Sequence, residues 1–396
     1  MQRRPPGRPG DLEHASRLEH ASPPEHASAP EHASPPEIAA LRAEIDALDD
    51  QMLALLDRRA EVVRHVGDLK RSRRETFHVP QRERAVLARL TAAARGAFPR
   101  EAVAPVFREI MSACLSLESP LVVSYPGPEA TFSHLAGRTR FGLSARYVPA
   151  ASLGDVFRAV GRGADYRVVP VEEASEGLVT HALDYFLDSD LPDVLIVGEI
   201  VIAAAHALLT HSGTTAGIER VYAHPVAAAR CAAGLLEAVG GASIVAAPSA
   251  AAAAALARDD AHAAAVAPAL AGELFDLTVA KPRLDDGPAD VARFLVLGRE
   301  AASSSGADAT SILVGLDDKP GRLADVLDRL ATAGLNLRRI ASRPTDRGGL
   351  RDIFFVDLDG HRADPACAEV LSRLGSELPL MKVLGSYPRD LGETRS

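Results

Sequence analysis

Apolar residues recur every three or four positions from Ile38 to Val66, and this spacing constrains the fold of the chain more than any other feature. A period of this kind places the apolar side chains on one stripe of an α-helix. The pattern extends over Glu37 to Arg71 and predicts one long amphipathic helix. Pro80 to Ala94 and Pro99 to Leu117 each begin with a proline that suits a helix start, and they predict two further helices. The region 37–118 is therefore predicted to be an all-α module.

Cations mark one face of the long helix. Helical residues advance by about 100° each, so Arg59 and Lys70 lie within about 20° of one another around the helix, whereas Arg42 lies about 100° away. A long helix with two short neighbours also cannot cover its own apolar stripe. We therefore expect two chains to intertwine as a homodimer or higher homo-oligomer, and both chains to contribute to one pocket.

Several segments of this module resemble the all-helical chorismate mutases. They are Leu41-Arg-Ala-Glu-Ile-Asp-Ala-Leu-Asp-Asp, Arg58-Arg59, Val66-Gly-Asp-Leu-Lys70, Arg82-Glu83 and Phe107-Arg-Glu-Ile-Met. The resemblance implies that Arg42 comes from the partner chain, that Arg59 holds a substrate carboxylate, and that Lys70 donates to the ether oxygen of the breaking bond. It also implies that Arg82 and Glu83 complete the polar wall.

The chemistry of this family explains a pocket with cations and no nucleophile. Conversion of chorismate to prephenate is an intramolecular rearrangement, so the enzyme folds the substrate and places donors where charge develops in the transition state. The resemblance therefore implies neither a cofactor nor a metal. Glu118 stands where the family has Gln or Glu as a second donor to the ether oxygen. Since a carboxyl group donates only when protonated, we expect the pKa of Glu118 to be raised.

The period of the sequence changes after Ser119-Pro120. Short β-rich runs now alternate with helical segments; they are Leu121-Val-Val-Ser-Tyr, Tyr166-Arg-Val-Val-Pro-Val and Val194-Leu-Ile-Val-Gly. The alternation predicts an α/β module over 121–298.

Six motifs of the α/β module resemble prephenate dehydratase. They are Gly127-Pro-Glu-Ala-Thr-Phe-Ser-His134, Val169-Pro-Val-Glu-Glu-Ala-Ser-Glu-Gly177, Gly198-Glu199, His206, His224-Pro225 and Ala292-Arg-Phe294. The resemblance implies two α/β lobes around a cleft in which prephenate loses carbon dioxide and hydroxide. It also implies these candidate site residues: Thr131, Ser133, His134, Glu173, Ser175, Glu199, His206, His224, Arg293 and Phe294.

The chain departs from this family at several cleft positions. The family has Thr-Arg-Phe, with Thr as the donor to the departing hydroxyl, where this chain has Ala292-Arg-Phe. It has Glu-Asn-Ser, Ser-His-Pro-Gln and Ser-Thr where this chain has Glu172-Glu-Ala174, Ala223-His-Pro-Val226 and Ser249-Ala250. The changes remove hydroxyl or amide groups, and Glu173 adds negative charge opposite a dianionic substrate. Loss of one preorganised donor can lower a rate by about 10² to 10³.

Two functions follow for the middle module. In the first it is a dehydratase in which Thr131, Ser133, Ser175 or a water molecule replaces the missing donors. In the second it has lost aromatisation and serves as a ligand-binding or structural bridge, or catalyses a prephenate decarboxylation. Resemblance of fold does not decide between them. Glu199 and His206 also allow a structural interpretation, in which they pair with one another at the hinge of the lobes.

The last part of the chain is predicted to be a separate small domain. Residues 299–309 are rich in Ala and Ser and predict a linker. The patterns over 310–388 predict a ferredoxin-like βαββαβ order. Five segments resemble the ACT regulatory domain: Asp318-Lys-Pro-Gly-Arg-Leu-Ala324, Leu335-Asn-Leu337, Ala341-Ser-Arg-Pro344, Phe354-Phe-Val-Asp357 and Lys382-Val-Leu-Gly-Ser-Tyr-Pro388.

The ACT resemblance implies an effector. Such a domain binds phenylalanine between paired copies, and Gly321 allows close approach to a helix N-terminus whose N–H groups suit an amino-acid carboxylate. The implied ligand residues are Gly321, Arg322, Leu323, Ala324, Ser342, Arg343 and Pro344. Ala341 stands where the family has Glu. The alternative is a module that only dimerises.

Composition restricts the partners and the compartment. The formal charge of −9 argues against nucleic acid as a partner. The three cysteines, Cys114, Cys231 and Cys367, match no metal or redox spacing and favour a reducing compartment. The start of the chain lacks an apolar signal segment, and no run of about 18 apolar residues occurs, so we expect a cytoplasmic protein without a membrane partner.

The first 36 residues differ from the rest of the chain. The tetrapeptide Glu-His-Ala-Ser recurs four times between Glu13 and Ser34, separated by Pro-rich or Arg-Leu dipeptides. A polar repeat of this kind has no apolar side chains with which to form a core. Residues 1–36 are therefore predicted to be a disordered low-complexity tail.

The three resemblances follow one another in the order of the bifunctional chorismate mutase/prephenate dehydratases. Together they cover nearly everything after the tail. We therefore expect an enzyme of phenylalanine biosynthesis whose small-molecule substrates are chorismate and prephenate, whose product is phenylpyruvate, and whose effector is phenylalanine.

Overall fold

The computed structural model describes residues 36–73, 78, 80–159, 163–173, 177–178, 180–187, 194–287, 291–345, 350 and 352–390. The tail predicted over 1–36 lies outside the described residues except for Pro36, and so does Ser175. The chain forms two units, residues 1–55 and 56–396.

Three helices precede the first strand: α1 (Pro36–Arg73), α2 (Pro80–Ala93) and α3 (Arg100–Ser116). Pro80 is the first residue of α2 and Pro99 is the N-cap of α3, as their fixed backbone angle suggested. α2 and α3 pack together, and Val103 and Cys114 of α3 are buried. The prediction of an all-α module is confirmed.

The apolar stripe of α1 is exposed along most of its length. The exposed side chains include Leu41 (60%), Leu48 (51%), Met52 (57%), Leu55 (70%), Val62 (55%) and Leu69 (59%). Exposed apolar residues in so regular a row mark a surface that a partner can cover.

The α/β module follows. Its elements in chain order are β1 (Val122–Pro126), α4 (Phe132–Phe141), β2 (Arg146–Ala150), α5 (Leu153–Arg158), β3 (Tyr166–Glu173), β4 (Gly177–Leu178), α6 (Thr180–Asp184), a 3₁₀ turn (Tyr185–Leu187), β5 (Leu195–Ala203), β6 (Ala207–Thr210), β7 (Arg220–Ala223), α7 (Pro225–Arg230), α8 (Ala232–Val239), β8 (Ser243–Ala246), α9 (Ala250–Arg258), β9 (Ala263–Ala267), α10 (Leu270–Phe275), β10 (Thr278–Lys281) and β11 (Val291–Gly298).

Two sheets make the two predicted lobes. The first has the order β2-β1-β3-β11-β5, with β4 paired to β3, and the second has the order β10-β6-β9-β7-β8. The chain leaves the first sheet after β5 and returns to it as β11, which lies between β3 and β5 and is antiparallel to both. The core of the second lobe is rich in buried alanine, because the small side chains of α9 and β9 let helix and sheet approach closely. The prediction of a two-lobed α/β module is confirmed.

The last domain contains β12 (Asp308–Leu316), α11 (Arg322–Thr332), β13 (Leu337–Pro344), β14 (Asp352–Asp359), α12 (Pro365–Glu377) and β15 (Leu380–Pro388). Its strands form one antiparallel sheet in the order β13-β14-β12-β15, which confirms the predicted βαββαβ fold. One face of this sheet packs on α11 and α12, and the other packs on the first lobe. Phe355 and Leu384 share that second core with Val171 and Leu295 of the lobe.

A helix that crosses a bilayer must be both long and apolar. Within the described ranges, no helix meets both conditions.

Candidate functional site

The candidate mutase residues Lys70 and Glu118 come together where α1 meets the end of α3. Gly67 makes this approach possible, because a Cβ at this position would lie 2.8 Å from Cγ of Glu118. The backbone carbonyl of Glu118 also accepts a hydrogen bond from Nη1 of Arg71, at 3.2 Å. The side chain of Glu118 is thereby held against α1, within electrostatic reach of Lys70 and Arg71.

The carboxyl group of Glu118 behaves as the sequence suggested. Burial raises its pKa, and the nearby charges of Lys70 and Arg71 offset only part of that effect. Oε2 of Glu118 is buried without a hydrogen-bond partner among the described residues. A protonated carboxyl group at this place would have a proton to donate to a ligand.

Replacing Glu118 by Gln should make mutase activity independent of pH. In the wild type the donating form is the protonated one, so activity should fall as pH rises through the raised pKa, by up to about 10² when the donor is lost. The amide of the Glu118→Gln variant donates at every pH. Initial rates of chorismate loss across a pH series test this, and a variant that keeps the wild-type pH profile would contradict it.

The other mutase candidates are spread over the module. Arg59 is half-buried on α1, and its Nη1 lies 3.5 Å from the carbonyl oxygen of Ile110 on α3. Arg42 and Arg82 are exposed on α1 and α2. One chain therefore brings Arg59, Lys70 and Glu118 to the α1–α3 face, which is part of the expected pocket.

Glu83 has a different environment from the one the resemblance implied. Its carboxylate accepts a hydrogen bond from Nη1 of Arg140 at 3.2 Å and is paired with Nε2 of His78 at 3.0 Å. Arg140 belongs to α4, so Glu83 joins α2 to the first lobe. Burial would raise the pKa of Glu83, but Arg140 and His78 outweigh it and lower the pKa to about 2.

Replacing Glu83 by Gln should therefore reduce stability in a pH-dependent way. A carboxyl group with a lowered pKa stabilises the fold at neutral pH, and this contribution is lost as pH falls from about 4.5 to about 2. The difference from wild type should be on the order of 2 to 3 kcal/mol near pH 7 and should shrink across that window. Urea unfolding of both proteins at several pH values measures it.

Glu237→Gln is the matched control, since Glu237 forms an exposed ion pair with Lys281. An exposed pair contributes little to stability, so this variant should unfold at nearly the same urea concentration as the wild type. A Glu83→Gln difference that stayed constant down to pH 2 would show that the ion pairs of Glu83 do not stabilise the fold.

The candidate dehydratase site is a cleft of about 370 Å³ between the two lobes. Its polar lining residues are Thr131, Ser133, His206, His224, Arg230 and Ser249. Three of the positions where the chain departs from the family, Val226, Ala250 and Ala292, also line it. These three positions of the family motifs therefore lie on the cleft, and the cleft wall is apolar at each of them.

Two of the helices that begin at the cleft have a side-chain cap there. Thr131 is the N-cap of α4 and accepts a hydrogen bond from the backbone N–H of His134 at 3.3 Å. Ser249 is the N-cap of α9 and accepts from the backbone N–H of Ala252 at 3.1 Å. Helix N-termini favour anions, because their N–H groups and dipoles point outwards. With Arg230 they make the cleft suitable for a substrate with two carboxylates.

His134 does not line the cleft, although it follows Thr131 and Ser133 closely. It is buried and stacks on Tyr125 at a centroid distance of 4.8 Å. Burial, with a smaller contribution from Arg138, lowers the pKa of His134 to about 4. Its Nδ1 accepts a hydrogen bond from the backbone N–H of Ala130 at 3.3 Å, so this neutral ring supports the loop before α4.

Arg293 and Glu199 are also outside the cleft, because adjacent residues of a strand point to opposite faces of the sheet. Ala292 faces the cleft, whereas Arg293 faces the ACT domain. Nε of Arg293 donates to Glu199 at 2.8 Å, and its Nη1 lies 2.9 Å from Asp357. Its Nη2 donates to the hydroxyl of Tyr387 at 3.0 Å. These residues form a buried cluster between the lobe and the ACT domain.

Two further candidates, Phe294 and Glu173, lie on β11 and β3. Phe294 is fully buried in the core behind the cleft. Glu173 is the last residue of β3, where its backbone pairs with Gly177. The interpretation in which Glu199 and His206 pair with one another is wrong, since Glu199 bonds to Arg293 and His206 bonds to Asp285.

Two functional candidates of the cleft were not predicted from the sequence. Arg230 lines the cleft at the end of α7, and Asp285 contacts His206 from the segment before β11. For Arg230, the only signal in the sequence was its position six residues after His224. Asp285 had none, because its contact with His206 joins distant parts of the chain.

Three potential metal ligands meet in the part of the chain that the structure describes. The ligand-type atoms of His206, Cys231 and Asp285 lie within 4.8 Å of one another. Both oxygens of Asp285 already accept hydrogen bonds from His206, and burial raises the pKa of Cys231 to about 12. His206 and Asp285 therefore form a hydrogen-bonded pair with Cys231 beside it. That the reaction needs no metal or cofactor stays a prediction.

The candidate effector residues lie at one end of the ACT sheet. Leu316 at the end of β12 and Pro344 at the end of β13 both pair with Asp352, so the Gly321 loop and the 342–344 segment lie on either side of β14. Gly321 has φ of +88° as the N-cap of α11, a conformation that favours glycine. The remaining effector candidates divide by exposure: Ser342, Pro344 and Ala324 are exposed, and Leu323 packs on the ACT core.

Two arginines of the effector set have partners within the chain. Arg322 donates to Asp317 at 2.8 Å. Arg343 donates through Nε and Nη2 to Asp184 of α6, at 3.1 and 2.5 Å, and so joins β13 to the first lobe. Ala341 lines a cavity of about 150 Å³ between the ACT sheet and this lobe, beside Arg293.

Comparison with known proteins agrees with this arrangement. The family models of type II chorismate mutase, prephenate dehydratase and the ACT domain match residues 41–119, 123–302 and 310–375. A bifunctional chorismate mutase/prephenate dehydratase of Aquifex aeolicus is 39% identical over 356 residues, which cover 89% of this chain and 98% of the relative. One of Pseudomonas aeruginosa is 38% identical over 359 residues, with the same two coverages.

The solved structures include a prephenate dehydratase of Arthrobacter aurescens in complex with L-Phe. It is 34% identical, has a TM-score of 0.60, and is matched over 68% of this chain and 90% of its own length. The curated relatives are matched over almost their whole length. This chain belongs to the family of bifunctional chorismate mutase/prephenate dehydratases.

Proposed function

We propose that the helical module rearranges chorismate to prephenate in a pocket built from Arg59, Lys70 and Glu118 of one chain and Arg42 of its partner. The observation that carries this proposal is the position of Glu118, held by Gly67 and Arg71 beside Lys70 with a raised pKa. A cation and a protonated carboxyl group on one wall supply two donors to the ether oxygen. Arg59 suits a carboxylate, because its guanidinium can bind one with two parallel hydrogen bonds.

The exposed stripe of α1 supports a dimer. Leu41, Leu48 and Leu55 are each more than half exposed. A second copy of the same helix would bury these side chains. Because Arg42 shares this helix, a partner that covers the stripe would also bring Arg42 to the pocket. Light scattering of the full chain should give at least twice the chain mass of 41.7 kDa, and chorismate turnover should fall on dilution below the dimer dissociation constant. A monomer with full mutase activity would contradict this arrangement.

For the middle module we propose dehydration of prephenate to phenylpyruvate in the cleft between the lobes. The observation that supports it is the set of anion-binding groups on the cleft wall: the N-termini of α4 and α9, and Arg230. These groups can hold the two carboxylates of prephenate, while His206 and His224 supply nitrogen atoms for proton transfer.

A second function is supported by the apolar positions of the same cleft. Val226, Ala250 and Ala292 lack the donors that the dehydratase family has there. Such a cleft would suit decarboxylation without loss of the hydroxyl, or binding alone. NMR analysis of prephenate incubated with the full chain separates these outcomes: phenylpyruvate supports dehydration, a non-aromatic decarboxylated product supports the second activity, and unchanged prephenate supports binding alone.

We further propose that phenylalanine regulates the cleft through the ACT domain. The support is the shared strand β11, on which Ala292 lines the cleft while Arg293 contacts Asp357 of the ACT sheet. A shift of the ACT sheet would therefore act directly on the strand that forms the cleft wall. Calorimetry with phenylalanine tests binding, and the absence of heat at millimolar ligand would favour a module that only dimerises.

A further inference from the structure

His206 is held in the cleft by contacts to both its ring and its backbone. Its ring Nδ1 lies 2.7 Å from Oδ1 of Asp285, and its backbone N–H donates to Oδ2 of the same carboxylate at 2.6 Å. Its backbone carbonyl accepts from the N–H of Leu284 at 2.8 Å. Phe132 meets the imidazole edge-on at a centroid distance of 5.1 Å. Asp285 and Phe132 therefore orient the ring, while Asp285 and Leu284 also fix the backbone of His206.

The carboxylate of Asp285 also selects the form of the ring. An ionised carboxylate accepts only, so Nδ1 must carry the proton in this hydrogen bond. In the neutral ring Nε2 is then an acceptor, and in the charged ring it becomes a donor. The side chain of Asp285 is only 2% exposed, so its charge acts on His206 with little screening by solvent.

The other charged and titratable groups around His206 come from the second lobe. Arg230 lies 3.9 Å from Asp285, Cys231 is within the same cluster, and His224 lines the same cleft. The thiol of Cys231 is protonated at neutral pH, because burial raises its pKa to about 12. Asp285 is thus the negative charge in direct contact with the imidazole, while Arg230 opposes part of its effect.

We propose that Asp285 is a positioning residue that holds His206 as the proton donor to the departing hydroxyl of prephenate. The inference rests on the proposed dehydratase function. The family has Thr as the donor where this chain has Ala292, which cannot donate. Ala292 and His206 line the same cleft, and the imidazolium of His206 has a proton to give. Asp285 acts through His206 and is not among the residues that line the cleft.

The reaction balances with this single donor. The bond between the ring and its carboxylate breaks, carbon dioxide leaves, and the electron pair forms a new double bond in the ring. The carbon–oxygen bond of the hydroxyl group breaks at the same time, and the oxygen takes the Nε2 proton of the imidazolium and leaves as water. Phenylpyruvate remains, and the neutral imidazole regains a proton from solvent before the next turnover.

Asp285→Asn tests the proposal, and Asp286→Asn is the matched control. Asp286 is the next residue and also accepts two backbone hydrogen bonds, from Ala233 and Gly234 at 2.8 and 2.9 Å, but these contacts hold α8 rather than His206. Asp285→Asn should lower kcat for prephenate dehydration by about 10² or more, with KM changed less than about threefold. The control should keep kcat per folded molecule near the wild-type value.

The tautomer of the His206 ring separates positioning from general structural support, because only a hydrogen bond from Nδ1 to Asp285 fixes which nitrogen carries the proton. Nitrogen NMR of the histidine rings gives a readout independent of turnover: the neutral ring of His206 should carry its proton on Nδ1 in the wild type and lose that preference in Asp285→Asn.

The outcomes distinguish this inference from the function on which it rests. If the wild type forms phenylpyruvate and Asp285→Asn keeps its kcat and the Nδ1-protonated ring of His206, the positioning role is refuted while the dehydratase function stands. If the wild type forms no phenylpyruvate, the dehydratase function fails and the proton-donor role fails with it. A neutral His206 ring protonated on Nε2 in the wild type would refute the hydrogen bond itself.

Discussion

Replacing Lys70 by Met is expected to lower kcat/KM for chorismate by about 10³ while leaving prephenate dehydration unchanged. The side chain of Met keeps the unbranched apolar stem of Lys70 but lacks the terminal ammonium group and its charge. In our account that charge stabilises the negative ether oxygen only in the transition state, so the loss should fall on kcat as well as on kcat/KM. The mutase and dehydratase sites lie in different modules, so the second activity of the same sample reports intact folding.

Arg64→Met is the matched control for this experiment. Arg64 is an exposed cation on the same helix, six positions before Lys70 and about 120° away from it around the helix axis. It should keep mutase activity within about twofold, because an exposed cation on another face has no developing charge to stabilise. Equal losses in the two variants would show that the total charge of α1 matters rather than a placed donor.

Replacing Arg293 by Met should destabilise the chain by about 3 to 5 kcal/mol. The side chains of Arg293 and Glu199 are 5% and 1% exposed, and Asp357 completes the cluster at 13%. Removal of the guanidinium leaves two largely buried carboxylates without their shared partner. Denaturant unfolding followed by circular dichroism measures the loss.

Two comparisons make the Arg293 experiment specific. Arg329→Met removes an ion pair with Glu377 that is nearly half exposed on both sides, and it should cost less than about 1 kcal/mol. Adding Glu199→Gln and Asp357→Asn to Arg293→Met should restore part of the lost stability, because the uncompensated charges disappear. If the triple variant is no more stable than Arg293→Met alone, the charges of the cluster are not the cause.

The elements of the fold were largely predictable from the sequence. The period of Ile38 to Val66 predicted α1, and prolines marked the starts of α2 and α3. Patterns of this kind depend only on residues that are close together in the sequence, so they can be read from one sequence alone. The apolar stripe of α1 also predicts a partner, because its apolar residues exceed what two short helices can cover.

The site was less predictable, because its contacts join distant segments. The motif that contains Ala292 and Arg293 suggested one site for both, yet strand alternation separates them onto two faces of β11. This separation could have been inferred from the strand assignment. Other contacts had no local signal: Glu83 with Arg140 spans 57 positions, and His206 with Asp285 spans 79.

The departures of the cleft from the family pattern gain a structural meaning. Val226, Ala250 and Ala292 lie on its wall, where the family has polar groups. Arg230 and the pair of His206 with Asp285 are polar groups of the same region that the motifs did not bring together. The cleft therefore lacks polar groups of the family at three positions, but it has Arg230 and the His206–Asp285 pair in or beside it.

We expect one polypeptide, paired with a second copy at the mutase pocket, to carry both steps from chorismate to phenylpyruvate. The direct measurement is incubation of the purified full chain with chorismate, with both products followed over time beside a sample without enzyme. Our account predicts that prephenate appears first and that phenylpyruvate then accumulates at its expense. Prephenate that accumulates without phenylpyruvate would contradict the account.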